Sequence, residues 1–263
     1  HVVGNLVPSL NTLKNINSLH LVFSYCHKTF PDKNLQKMIT GIKTFKHLST
    51  LKLTLTSCKK ITNQNFKTLG KAVAGFKNLK TLHLDFKGDT KIEDSSLHEI
   101  FTRLGKLKSL TNLKLELTGC SKISSESLIR FSVSLKELSS LKILTLLLND
   151  CSEITGDGLK ELSSSIASLK TLSELHLDVS DDRNVGDLGI EILAEGLANL
   201  KSLTVFDLDI DNCHSISDKG LCALNCQLRN CSKLQNIQIY AQKISNISEK
   251  PFLSLAHSLK ELE

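Results

Sequence analysis

Tryptophan is absent from these 263 residues, and aromatic side chains of any kind make up only 5%. That scarcity removes the stacking platforms on which single-stranded nucleic acid is held, so nucleic acid is not the expected partner. No apolar run reaches the roughly 18 residues that a membrane-spanning helix needs. No glycine-rich phosphate loop, G-x-S-x-G, H-E-x-x-H or paired Cys–His signature occurs, so neither an enzymatic activity nor a cofactor is expected. The chain opens on His1 rather than Met, and no charged-then-apolar leader follows. It therefore reads as a piece of a longer protein.

What the sequence has in abundance is leucine, at regular positions. "LKLTLTSCKKIT" begins at Leu51, and equivalent stretches begin at Leu82, Leu113, Leu144, Leu175, Phe206 and Ile237. Each step is 31 residues, and one earlier copy starts at Leu19, 32 residues before Leu51. Such self-similarity marks a single repeat domain, residues 1–263 in about eight repeats. Within a repeat, Leu144, Leu146 and Leu148 alternate as the inward side of a strand, while Thr145, Leu147 and Asn149 face the other way. Leu159, Leu162, Ile166 and Leu169 then recur at helical spacing. Thr62, Ser124, Thr155 and Ser217 precede the helices, where a hydroxyl can cap the first turn.

These residues resemble the leucine-rich-repeat family. Leu141, Leu144, Leu146, Leu148 and Cys151 carry the pattern, continued by Ile154, Thr155, Gly158, Leu159 and Leu162 and again by Cys213, Ile216, Ser217, Gly220, Leu221 and Leu224. The variant looks like the cysteine-containing subfamily, with a helical half like the ribonuclease-inhibitor type. The resemblance implies an α/β horseshoe, with parallel strands on the concave face and helices on the convex face. It also implies a non-catalytic scaffold that binds a protein partner on the concave face. The alternative it suggests is the substrate-recognition arm of a ubiquitin ligase.

"NDCSEITGDG" imitates a calcium loop with its oxygens at short spacing, but no acidic residue closes it. Cys26, Cys58, Cys120, Cys151 and Cys213 share one repeat position, with Asp89, Asp182 and Ile244 in the remaining copies. A small apolar thiol suits the corner where strand leaves for helix. Cys120 and Cys151 would lie about one strand spacing apart, roughly 4.8 Å, which a disulfide tolerates. The other ladder cysteines have a non-cysteine neighbour on at least one side, so reduced thiols and an intracellular, cytoplasmic setting are expected. Cys231 falls on a core position. Cys222 and Cys226, one helical turn apart, read as exposed, oxidisable thiols, and their C-x3-C spacing is not that of a zinc knuckle.

Charge is divided along the chain. Residues 1–110 hold 18 basic and 6 acidic side chains, and residues 111–263 hold 15 and 21. Lys59, Lys60, Lys67, Lys71, Lys77 and Lys80 fall on loops and helices, where an acidic protein surface is the expected counterpart. The outward strand positions are free to vary for a partner. There, Asp178, Asp181, Asp182, Asp207, Asp209 and Asp211 gather on two neighbouring repeats. They read as a solvated face, as a pocket for Lys/Arg-rich segments, or as a cation site. The candidate partner-binding residues are Asp178, Asp207, Asp209, Asp211, His176, Asn149, Glu116 and Tyr240. His83 and His176 are three repeats apart, roughly 14 Å at one strand spacing per repeat, too far to act together.

Overall fold

The computed structural model describes residues 15–26, 32–58 and 61–253. Lys59, Lys60 and both terminal segments lie outside them. The described elements are β1 (Ser18–Val22), α1 (Asp32–Ile42), β2 (Thr50–Thr54), α2 (Asn63–Val73), β3 (Thr81–Asp85), α3 (Asp94–Leu104), β4 (Asn112–Glu116) and α4 (Ser125–Leu135). They continue with β5 (Ile143–Leu147), α5 (Gly156–Ile166), β6 (Glu174–Asp178), α6 (Asp187–Leu197), β7 (Val205–Asp209), α7 (Asp218–Leu228) and β8 (Asn236–Tyr240). The eight strands form one parallel sheet in sequence order, the arrangement of a leucine-rich-repeat solenoid. No described helix is long and apolar enough to cross a membrane.

Register follows from the leucines. Leu51 pairs with Leu82, Leu82 with Leu113, Leu113 with Leu144 and Leu144 with Leu175, so β2 to β6 stack identical inward side chains, and Phe206 and Ile237 continue the column. A one-residue slip would turn every leucine to solvent, which fixes the pairing. Helix aliphatic residues such as Leu159, Leu162 and Ile166 close the core from the other side at 0–2% exposure. Phenylalanines fill its wider parts: Phe66 meets Phe86 edge-on at 5.1 Å, and Phe101 meets Phe131 at 5.2 Å.

The corner after each strand has one residue in the left-handed region. Gly88 and Gly119 take it at φ 71° and 72°, and Ser57, Asp150, Asp181 and Asn212 occupy it at φ 53–61°. Asp150, which seemed a candidate ligand in the sequence, is thus a turn residue. Cys151 follows it, fully buried, and its Sγ–H donates to the Leu117 carbonyl of the preceding repeat at 3.2 Å. Cys58, Cys120 and Cys213 donate in the same way to Phe23, Phe86 and Val179. All eight cysteines are free thiols, so the Cys120–Cys151 disulfide does not form.

Helix starts are joined from repeat to repeat. Asp94, first residue of α3, accepts from Ser124 N (2.9 Å), Ser124 Oγ (2.6 Å) and Ser127 Oγ (2.6 Å). Asp187 does the same for Ser217 N, Ser217 Oγ and Gly220 N, and Asp218 for Ser248. Ser124 and Ser217 also cap their own helices, accepting from Glu126 N and Lys219 N. Thr62 and Thr155 make no side-chain cap bond, against expectation. The Thr155 hydroxyl instead pairs with Ser125 Oγ of the preceding repeat at 2.9 Å. At the next joint the equivalent positions are Gly156 and Gly186, which have no side chains to form such a link.

Candidate functional site

The sheet's outer face carries the variable side chains, because the inner positions of every strand are spent on the core. Position three of the strands runs His20, Lys52, His83, Lys114, Thr145, His176, Asp207, Gln238 in register. Position five holds Asp85, Glu116, Leu147, Asp178, Asp209 and Tyr240 in the same order. Asp209 therefore sits between Asp178 and Tyr240. Glu116 stands apart, two strands from Asp178 with Leu147 between them, and pairs with Lys114 Nζ at 3.2 Å.

Sequence reasoning treated these identities as free of the fold, and the structure corrects that. Asp178 Oδ1 accepts from Ser180 N (3.0 Å) and Ser180 Oγ (2.6 Å), and Asp209 Oδ1 accepts from Asp211 N (3.0 Å). Asp85 closes the same turn through Lys87 N. A carboxylate at this position shapes the strand exit by satisfying a backbone donor two residues on. In Asp85 the second oxygen accepts from Thr56 Oγ1 at 3.2 Å, whereas Asp178 and Asp209 keep theirs for the outer face. Asp211 accepts from Gln242 N.

Asp182 does not belong to the patch. It takes the buried cysteine position at 1% exposure, and burial holds its carboxyl above the usual range. Asp181, exposed at the corner, is held between Asn149 Nδ2 (3.0 Å) and Asn212 Nδ2 (2.6 Å). Asn149 also donates to Ser180 Oγ at 2.5 Å. These side chains line part of an open polar groove of about 740 Å³, with Asp150, Ser152, Arg183, Asn184 and His214 along the rest.

His176 Nδ1 lies 2.6 Å from Asp207 Oδ2, and its Nε2 lies 3.7 Å from Glu174. Glu174 was missed in the sequence. It starts β6 and belongs to a further outward column, with Thr50, Thr81, Asn112, Ile143 and Val205. The signal was present, since Glu174 lies two residues before His176 and shares its face. Asp209 is raised above the usual carboxylate range, first by burial and then by the crowding of Asp178, Asp211 and Asp181. Tyr240 Oη donates to Gln238 Oε1 at 2.9 Å, and the residue is 46% exposed. Among the described residues, no group of three or more His, Cys, Asp or Glu side chains is arranged to hold a metal ion.

No protein-family model and no curated protein matches this sequence. Among solved structures, the chain is similar to one in the TLR13–ssRNA13 complex, at 17% identity and a TM-score of 0.51, over 96% of this chain and 33% of that one. A chain of the yeast Rad7–Elc1 complex matches at 14% identity and a TM-score of 0.48, over 95% of this chain and 68% of that one. Leiomodin-1 actin-binding site 2 matches at 16% identity and 0.46, over 62% and 86%. The last two are too loose to carry an argument. The first speaks for fold alone, and its fold is the one the register and the stacked leucines build here: a leucine-rich-repeat-type solenoid.

Proposed function

We propose that this chain is a non-catalytic scaffold whose outer sheet face grips a partner protein. One observation carries this reading. The inward strand positions repeat almost unchanged, while the outward ones differ from repeat to repeat and no described element covers them. A surface held rigidly by the core and varied independently of it suits recognition. The acidic side chains of β6 and β7 suit a Lys/Arg-rich segment. Like charges in register repel one another, and a cationic partner relieves that repulsion.

The test is the triple variant Asp178→Asn, Asp207→Asn, Asp209→Asn, assayed against immobilised Lys/Arg-rich peptides. At 178 and 209 Asn keeps the Oδ1 acceptor that closes the turn, and Asp207 closes none, so the fold is preserved. Association with the unaltered chain is expected to be fast at low salt. It should weaken as the screening length shrinks from roughly 10 Å at about 0.1 M salt to 3 Å at about 1 M, and the variant should lose most of that dependence. Unchanged rate and salt dependence would leave the aspartates as a solvated face.

A further inference from the structure

Two cysteines take no part in the corner ladder or the core. Cys222 is half-buried and Cys226 exposed, four residues apart on one face of α7. Cys58, Cys120, Cys151, Cys213 and Cys231 all donate their S–H to a carbonyl of the preceding repeat, and Cys26 donates to Ser24. Cys222 and Cys226 make no hydrogen bond among the described residues. The equivalent positions on α6 are Glu191 and Glu195, and on α5 Lys160 and Ser164, so the repeat has no need of sulfur there.

Spacing decides what a thiol pair of this kind can do. Side chains at i and i+4 hold their Cβ atoms about 5–6 Å apart. A disulfide needs about 3.5–4.5 Å between Cβ atoms, so direct oxidation would have to distort the helix. A single bridging ion with two sulfur bonds of about 2.3 Å each spans the gap without that distortion. An ion content with two soft sulfurs and no third ligand is a soft, thiophilic one. Lys219, one turn before Cys222, is tied to Glu191 Oε1 at 2.8 Å, which offsets the charge that it would otherwise set beside a cation.

We propose that Cys222 and Cys226 form a two-thiolate site for a soft monovalent cation of the copper(I) class. Binding exchanges two S–H protons, released to solvent, for two sulfur–metal bonds, and the ion keeps its oxidation state. The experiment titrates the folded chain, under reducing and oxygen-free conditions, with copper(I) held by a competing chromophoric chelator. Cys222→Ser, Cys226→Ser and Cys26→Ser variants run in parallel, with circular dichroism confirming that each is folded. The unaltered chain and Cys26→Ser should each take one ion, and both α7 variants should lose it. No uptake by the unaltered chain, or full uptake by either α7 variant, would overturn the assignment.

Discussion

At the scale of single residues, the corner thiol is the most informative group. Burial pushes Cys151 and Cys213 from an ordinary 9.0 up to about 12, and Cys58 up to about 11. The protonated thiol is the form the fold accommodates, because it alone can donate to the carbonyl of the preceding repeat. A folded-state value above the unfolded one gives stability that is complete below pH 9 and lost as pH rises toward 11 and 12. Urea midpoints should therefore fall from pH 8.5 to 10.5, and the fall should be shallower in a Cys151→Ala, Cys213→Ala variant, though that variant starts from a lower midpoint. Parallel slopes in the two proteins would refute it. That these cysteines were core residues was legible in the sequence, since a shared repeat position is a shared environment. Asp182 was misread for the same reason in reverse. Its charge suggested the surface, whereas its repeat position, the one Cys151 occupies, was the better guide.

Among elements, the links between helix starts matter most. Asp187 satisfies three donors of the next repeat at 2.6–3.0 Å. Asp187→Ala should leave two backbone N–H groups of α7's start without that acceptor and cost about 2–3 kcal/mol, read as a lower urea midpoint with an unchanged slope. An effect under about 0.5 kcal/mol would mean that solvent replaces the carboxylate. The strands and helices themselves were visible in the sequence, because two periodicities alternate within every repeat. Which hydroxyl caps which helix was not. Ser124 and Thr155 precede their helices alike, yet Ser124 bonds its own first turn and Thr155 bonds Ser125. The choice depends on the neighbouring repeat's first helical residue, Asp94 in one case and Ser125 in the other, and no local pattern contains it.

For the molecule as a whole, a stacked array is held by what each repeat does for its neighbours. At the joint between the starts of α5 and α6, Gly156 and Gly186 offer no side-chain link of the kind Asp94 and Asp187 make. A Cβ at Gly156 would meet nothing within 4 Å. Gly156→Asp should place a carboxylate where Asp94 and Asp187 have theirs, within reach of the Gly186 N–H. A gain of about 1 kcal/mol is expected from that bond, the helix dipole and the lost glycine entropy together. Hydrogen exchange should show slower opening of β6 and β7 in this variant, and exchange unchanged on both sides of the joint would refute the idea.

The direction of the thiol and cap bonds has one more consequence. Cys58, Cys151 and Cys213 reach back to carbonyls 34–35 residues earlier, and Ser124, Ser217 and Ser248 reach back to a carboxylate 30 residues earlier. A repeat added at the C-terminal side finds these acceptors already in place on a finished surface. One added at the N-terminal side would have to provide them. Growth toward the C-terminus is also the order in which a ribosome delivers the chain, so each repeat can settle on its predecessor as it emerges.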